Sequence, residues 1–369
     1  MSFTFKAVRY RNKNSPLSIK TVSLPIKQNG DNYLIPDDSV LVKVRASALN
    51  PVDLLVKNTV YSIFSFSDKG IGFDFSGDVL AVGGSVAAKS DFKIGDKVCG
   101  FNLTYFSDGS MAEYILIKPF KESGASIRKI PAKLSYEQAA AYPLVFGTAE
   151  SLFQYCLLVK TDKPEASFRK VLILGAGTSV GRYAVQLAKQ IYGSEHIVVT
   201  CSGKTEPVAR QYGATEVIDY TKNKNILNAV LESVKITGKF DAILDCCGNS
   251  DLFPQIEEIL RSRKEGGAYV TVTGDAKLDY SKGFLSLVSN NFSTFFRIFR
   301  SKTGFLPYYY EMVQILNDTK QTWPDKLVEY LENHEFDVVI DSVYELEDFQ
   351  KGVDRVASNR AVGKVVFTS

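Results

Sequence analysis

Short apolar runs alternate along this chain with stretches in which apolar residues recur at helical spacing. The clearest case lies between Lys170 and Lys189, where the apolar run 171–174 enters a glycine-bearing turn. After the turn, one face of a predicted helix carries Val180, Ala184, Leu187, Ala188 and Ile191. A strand, a glycine-rich turn and an amphipathic helix in this order predict a nucleotide-binding βα unit.

Further apolar runs follow at regular intervals, with helical stretches between them. They occupy residues 196–204, 216–219, 240–245 and 267–274. Repeated alternation of this kind predicts an α/β fold built on a parallel, doubly wound sheet of the Rossmann type.

The chemistry of the turn suits a phosphate group. Its glycines let the backbone turn tightly and approach a ligand, and the next helix points free N–H groups at that ligand. These glycines are Gly175, Gly177 and Gly181. A Gly-x-Gly-x-x-Gly pattern from the first of them would need glycine where Val180 stands, and Thr178 and Ser179 occupy the middle of the turn. We expect these two hydroxyls to donate to a pyrophosphate.

The strand that follows this helix bears on the choice of cofactor. In a dinucleotide fold an acidic residue at its end binds an unmodified adenine ribose, whereas basic or small polar residues accommodate a 2′-phosphate. This strand ends without a carboxylate, and Ser202 and Lys204 follow it. The pattern favours NADPH over NADH. The alternative interpretation is a surface Ser-Gly-Lys turn that binds nothing.

Length and charge narrow the class further. A chain of 369 residues exceeds one usual core, so two domains are expected. The net charge of +3 is too small and too scattered to indicate nucleic-acid binding. No signal segment and no apolar run of about 18 residues is apparent, which predicts a soluble, cytoplasmic protein. The five cysteines lack the spacing of a zinc loop, and only two histidines are present.

Several blocks, taken in order, resemble the medium-chain dehydrogenase/reductase superfamily. They lie at 48–53, 72–79, 93–100, 109–115, 139–149, 241–248 and 359–367. Within the superfamily the chain looks most like the zinc-free, zeta-crystallin-like quinone oxidoreductases and enoyl reductases, in a fungal branch partly found on lipid droplets or mitochondria. The resemblance implies a β-rich GroES-like barrel over 1–147, completed by 338–369, and an NADP-binding Rossmann domain over 148–337.

The resemblance also implies the chemistry. The zinc enzymes of the superfamily have cysteine where Asn50 stands and His-Glu where Phe73-Asp74 stand, so we expect no metal. Hydride transfer to a small apolar quinone, enone or enoyl thioester then fits best. By resemblance to the enoyl reductases, Tyr61 donates the proton; the alternative is a buried tyrosine with a local hydrogen bond.

Further site residues are expected near these. Asn50 is expected to bind the substrate carbonyl or the nicotinamide ribose, and Asp53 to orient that amide or to cap a helix beginning at Leu54. The resemblance places Thr148 and Gly248 at the cofactor and Tyr220 beside the ribose phosphate. It marks Lys364 as a cofactor ligand or a structural residue at the cleft.

The segment 284–302 departs from the family pattern. Phe or Val recurs at 284, 288, 292, 295 and 299, with basic residues near the end. This face can contact a membrane or lipid droplet, cover a substrate pocket or pack in a homodimer. Tyr308, Tyr309 and Tyr310 are expected to extend the same surface.

We therefore expect an NADPH-dependent reductase of quinones or α,β-unsaturated carbonyls. Two alternatives stay open at this point: a nucleotide-binding regulatory protein with little turnover, and an enoyl-thioester reductase of lipid metabolism.

Overall fold

The structure is a computed structural model that describes residues 2–30, 32–60, 67–102, 108–119, 125–159, 168–223, 225–283, 285, 291–313 and 323–369. The chain forms two compact units. The first comprises Met1–Leu144, Tyr280–Phe284 and Ile315–Ser369, and the second comprises Val145–Asp279 and Leu285–Gln314. The units divide the chain at other positions than the expected boundaries of 147 and 338, because residues 315–337 fall in the first unit.

The first unit is rich in β-structure. Its strands are β1 Ser2–Tyr10, β2 Ser18–Asn29, β3 Asn32–Leu34, β4 Val40–Leu49, β5 Lys69–Gly70, β6 Asp74–Val82, β7 Lys97–Asn102, β8 Tyr114–Ile117, β9 Ala125–Lys129, β16 Ile340–Glu345 and β17 Lys364–Thr368. One sheet has the order β3-β2-β1-β5, and the other has the order β16-β17-β4-β6-β7-β9 with β8 paired to β4. Only β16 and β17 pair in parallel among these described strands.

Short helices close the first unit. They are α1 Pro51–Thr59, α2 Gly84–Ala87, α3 Tyr136–Ala141, α10 Trp323–Asn333 and α11 Phe349–Ala357. Helix α4, Pro143–Leu157, begins in the first unit and continues into the second. The strands enclose apolar cores, for example around Val42, Phe75 and Ile127, which are fully buried.

The second unit confirms the predicted α/β fold. Its strands are β10 Lys170–Leu174, β11 His196–Cys201, β12 Glu216–Asp219, β13 Ala242–Asp245, β14 Ala268–Thr271 and β15 Tyr309–Met312, and its other helices are α5 Ser179–Gln190, α6 Glu206–Gln211, α7 Leu227–Thr237, α8 Ile256–Ile259 and α9 Phe292–Lys302. The strands pair in parallel in the order β12-β11-β10-β13-β14-β15. This order reverses beside β10, and in such sheets ligands bind outside the carboxyl ends of the strands at the reversal.

The last strand of this sheet corrects one prediction. Tyr308, Tyr309 and Tyr310 were expected on an exposed surface, but all three are buried. Two of them lie in β15, which pairs with β14. Their polar ends have partners inside the unit: the Tyr310 hydroxyl donates to Asp275 at 2.5 Å, and the Arg263 guanidinium lies 5.5 Å from the Tyr309 ring centre.

Helix α9 carries the exposed aromatic face. Phe292, Phe295, Phe296 and Phe299 are 42–76% exposed. Phe284 and Val288, expected on the same face, lie outside the described residues. No helix in the described ranges is long and apolar enough to cross a membrane.

Candidate active site

Four buried side chains of the first unit form a polar cluster. They are Asn50, Asp53, Asp74 and Lys364, and each is at most 4% exposed. Strand pairing brings them together, because Ala48 of β4 faces Asp74 at the start of β6, and Leu49 faces Val365 next to Lys364 in β17. Asn50 follows β4 directly, and Asp53 lies in the first turn of α1.

Lys364 and Asp74 form the ion pair at the centre of the polar cluster. The Lys364 Nζ donates to Asp74 Oδ2 at 2.8 Å and to Asn50 Oδ1 at 2.5 Å. The Asn50 Nδ2 donates to the same Asp74 oxygen at 2.8 Å. Both ends of the Asn50 amide are therefore occupied within the polar cluster.

Asp53 has fewer partners than Asp74. Its Oδ2 accepts the Asn50 backbone N–H at 2.5 Å and Asn50 Nδ2 at 3.3 Å, whereas the buried Oδ1 has no hydrogen-bond partner among the described residues. Burial raises the pKa of Asp53 to about 7, and the neighbouring Asp74 adds to this rise. Asp53 therefore holds a proton for part of the time at neutral pH.

The position of Asp53 in α1 corrects a second expectation. The helix begins at Pro51 rather than at Leu54, so Asp53 is its third residue and reaches back to the N–H of Asn50. This is the reciprocal half of a capping box. Asp53 also contacts the Asn50 amide, so it performs the orienting role as well as the capping role.

Asp74 is a site residue that the sequence interpretation did not include. Its second oxygen accepts the Leu144 backbone N–H at 2.9 Å, so no part of the carboxylate lacks a donor. The available signal was an acid in an otherwise apolar strand start, where the resemblance pointed only to absent zinc ligands. Tyr61, the expected proton donor, lies outside the described residues.

In the second unit, the glycine turn forms a nucleotide cradle, which we define as residues 175–181 together with the loops after β11 and β13. Gly175 has φ +81°, and a Cβ there would lie 2.8 Å from Cys247 Cβ. A Cβ on Gly177 would lie 3.1 Å from Thr205 Oγ1, and one on Gly181 would lie 2.2 Å from the Gly175 oxygen. Only glycine fits Gly175 and Gly181, as the close-approach prediction requires.

Thr178 has a different role from the expected one. Its hydroxyl donates to the Gly175 carbonyl at 2.9 Å and accepts the Gly181 N–H at 3.0 Å, which makes it the N-cap of α5. The hydrogen is therefore not available for a pyrophosphate in this arrangement. Ser179 and Val180 begin the helix, where backbone N–H groups lack intrahelical acceptors. The Ser179 hydroxyl has no partner within the described part of the chain.

Ser202, Lys204 and Tyr220 lie at neighbouring strand ends. Cys201 of β11 pairs with Asp219 of β12, so the residues that follow them share one edge of the sheet. Lys204 is exposed, and Tyr220 is 54% exposed.

Two carboxylates near this edge are engaged elsewhere. Asp219 accepts both the N–H and the hydroxyl of Thr221, and Glu206 pairs with Arg210 at 2.9 Å. The edge therefore carries an exposed lysine, and its nearest acids already have partners.

Thr148 and Gly248 complete the expected cofactor residues. Thr148 is buried in α4. Gly248 has φ +79° in a loop held by Asp245, whose Oδ1 accepts the Cys247 and Gly248 N–H groups at 3.0 and 2.8 Å. A Cβ at Gly248 would lie 2.7 Å from Thr273 Oγ1, a buried hydroxyl without a partner in the described ranges. Neither Asp245 nor Thr273 was identified from the sequence.

Comparison with known proteins agrees with both units. Residues 36–122 match the family model described as alcohol dehydrogenase GroES-like domain, and residues 212–367 match the one described as zinc-binding dehydrogenase. With the fold, these matches define the class as the medium-chain dehydrogenase/reductase superfamily, whose typical cofactor is NAD(P).

Curated relatives narrow the class further. The chain is 33% identical to Protein YIM1 of Vanderwaltozyma polyspora over 98% of both chains, and 30% identical to Protein YIM1 of Saccharomyces cerevisiae over 98% of this chain and 97% of that protein. The chain belongs to the family of these yeast proteins.

Solved structures show the same fold. A quinone oxidoreductase from Coxiella burnetii aligns with a TM-score of 0.69 at 22% identity, over the full length of both chains. A mycobacterial protein in complex with NADPH aligns with a TM-score of 0.66 at 18% identity, over 99% of this chain and 100% of that one.

Proposed function

We propose that the protein is a zinc-independent, NADPH-dependent reductase of quinones or α,β-unsaturated carbonyls. The observation that carries the proposal is the nucleotide cradle, with glycines that leave no room for side chains and a lysine exposed at the ribose edge. A mycobacterial protein of the same fold was solved with NADPH, and one from Coxiella burnetii is named a quinone oxidoreductase.

The residues of the second unit fit a phosphorylated dinucleotide. The first N–H groups of α5 and the hydroxyl of Ser179 would hold the pyrophosphate. At the ribose edge, Ser202, Lys204 and Tyr220 would hold the 2′-phosphate, since the neighbouring acids are engaged with Thr221 and Arg210. Thr148 and Gly248 would contact the nicotinamide half. When bound, NADPH supplies the hydride.

The polar cluster would serve the acceptor. Because both ends of the Asn50 amide are occupied, we assign Asn50 a positioning role in place of direct contact with the substrate carbonyl. Asp53 holds a proton at neutral pH and has one open oxygen. Tyr61, by its spacing from Asn50, is the proposed donor of the proton to the enolate oxygen.

The absence of zinc from the proposed reaction rests on residue types. Asn50 and Phe73 stand where the zinc enzymes have cysteine and histidine, and Asp74 is paired with Lys364. Without a Lewis acid the acceptor must already be electrophilic, which selects quinones, enones and enoyl thioesters over simple ketones.

One observation favours a second candidate, a nucleotide-binding protein with little turnover. In the polar cluster only Asp53 Oδ1 is left without a partner among the described residues, so few groups are free to engage a substrate. The fold alone does not distinguish the two.

An activity screen separates the candidates. Purified protein is mixed with NADPH and, in turn, a quinone, an enone and an enoyl thioester, with and without a chelator. We expect oxidation of NADPH with the quinone or the enone, unchanged by the chelator. NADPH binding without turnover of any acceptor would establish the second candidate. Turnover confined to the thioester would assign the enzyme to acyl chemistry, and loss of turnover with the chelator would refute the zinc-independent reaction.

A further inference from the structure

Arg182 is a nearly buried cation in the first turn of α5. It is 5% exposed, and its Nε donates to the Gly177 carbonyl over a long distance of 3.4 Å. Within the part of the chain that the structure describes, its terminal Nη atoms make no ion pair and no hydrogen bond. The guanidinium therefore lies at the nucleotide cradle with unused donors.

Two physical arguments make this placement unfavourable without a ligand. Buried charged groups in proteins are almost always paired, because removal from water is otherwise uncompensated. A cation near the first turn of a helix is also repelled by the positive end of the helix dipole, which favours anions. An anion at the cradle would reverse the sign of both effects.

The direction of the side chain agrees with such a ligand. Helical side chains lean towards the N-terminus of their helix, so a long residue in the first turn reaches back over the preceding loop. The contact with Gly177 shows that Arg182 does this. Covering the helix with its aliphatic stem would not require a charge, since methionine would pack as well.

We propose that Arg182 binds the pyrophosphate of the cofactor as a charged ligand, in addition to the N–H groups of α5. This inference rests on the proposed nucleotide site and extends it to a residue outside the glycine pattern. It also gives the cradle a positive charge in place of the Thr178 hydroxyl, which is used for capping. Because the pyrophosphate is shared, Arg182 contributes equally to NADPH and NADH, unlike a ligand of the 2′-phosphate.

The test compares three variants across four ligands by calorimetry. The variants are Arg182→Met, Arg182→Lys and Lys189→Met, the last removing an exposed charge from the other end of the same helix. The ligands are NADPH, NADH, ADP-ribose and 2′-AMP, of which only 2′-AMP lacks a pyrophosphate. We expect Arg182→Met to weaken the first three by about 10- to 100-fold, as for a lost charge-assisted hydrogen bond, and 2′-AMP by less than about twofold. Arg182→Lys should fall between, and Lys189→Met should match the wild type.

Thermal unfolding supplies a readout that a structural role would not reproduce. Without ligand, Arg182→Met should melt at the wild-type temperature or above, because the uncompensated charge is gone. With ADP-ribose its rise in melting temperature should be smaller than that of the wild type.

Three results would overturn the inference: lower stability or failure of Arg182→Met to fold, unchanged affinity for all pyrophosphate ligands, or a loss confined to NADPH. Wild-type binding of ADP-ribose without binding of NADPH would leave Arg182 in its role and refute the proposed function instead. If the wild type binds none of the four ligands, both proposals are refuted.

Discussion

Replacing Lys364 with methionine should strongly destabilise the first unit. The substitution keeps most of the apolar stem and removes the charge that faces Asp74. It leaves a carboxylate that is 0% exposed with the Asn50 Nδ2 and the Leu144 N–H as its remaining donors. The Asn50 Oδ1 loses its only recorded partner as well.

The magnitude follows from the distance and the burial. Two unit charges 2.8 Å apart attract by about 6 kcal/mol at an effective dielectric constant of about 20. Desolvation of both groups offsets much of this, so the pair adds little compared with an apolar substitute. Removal of one partner nevertheless costs about 3–5 kcal/mol, because the other charge stays buried. Adding Asp74→Asn to Lys364→Met should recover about 1–3 kcal/mol.

The single tryptophan provides a local assay. Trp323 lies in the first unit, is 4% exposed and stacks on Phe101 with 5.1 Å between ring centres. Urea unfolding followed by its fluorescence therefore reports on the unit that contains the polar cluster. Lys129→Met is the matched control: its ion pairs are exposed, so it should change the free energy of unfolding by about 1 kcal/mol or less. A loss of less than about 1 kcal/mol for Lys364→Met, or a double variant no more stable than the single one, would refute the buried ion pair.

The remaining predictions concern pH, cofactor, catalysis and surface. The raised pKa of Asp53 means that the folded state binds its proton more tightly, so stability should fall by about 1.4 kcal/mol per pH unit between about pH 4 and 7; Asp53→Asn should remove this slope in the same fluorescence assay, and an unchanged slope would contradict the assignment. Lys204→Ala should weaken NADPH by about 1.5–3 kcal/mol more than NADH in a fluorescence titration, and equal losses would exclude a 2′-phosphate contact. Tyr61→Phe should lower enone turnover by about 10²–10⁴ without changing NADPH affinity, and quinone turnover less, because water protonates a phenolate readily; full enone activity in this variant would rule out the donor role. Joint replacement of Phe296 and Phe299 by serine should change stability by about 0.5 kcal/mol or less and reduce self-association in sedimentation or binding to anionic vesicles; a large drop in melting temperature would show instead that these rings are packed.

The parallel sheet was predictable because each βα unit has a local pattern. Strands β10 to β14 follow apolar runs that end in turns, and the glycines of the cradle mark the point where the order reverses. Strand β15 was not predictable in this way, since three consecutive tyrosines resemble an aromatic surface. Its place depends on pairing with Ala268–Thr271 of β14 and on buried partners such as Asp275. Only the tertiary structure supplies these.

The nucleotide cradle divides in the same manner. The need for glycine at Gly175 and Gly181 follows from backbone geometry that the sequence pattern already indicates. A hydroxyl is ambiguous, because Thr178 suits an N-cap as well as a phosphate. The cap is decided by the position at which α5 begins, and sequence patterns locate helix ends poorly.

The polar cluster is the least predictable part, because 314 residues separate Asn50 from Lys364. Asp74 and Asp53 share a single lysine in a site with almost no access to water. Two buried carboxylates and one ammonium group carry an excess negative charge, which a low-dielectric environment opposes. Asp74 accepts from Lys364, Asn50 and Leu144, whereas Asp53 accepts only from Asn50. The proton therefore resides on Asp53. Stabilisation of the fold by the Asp74 pair thus produces a neutral acid at neutral pH, beside the amide that it positions.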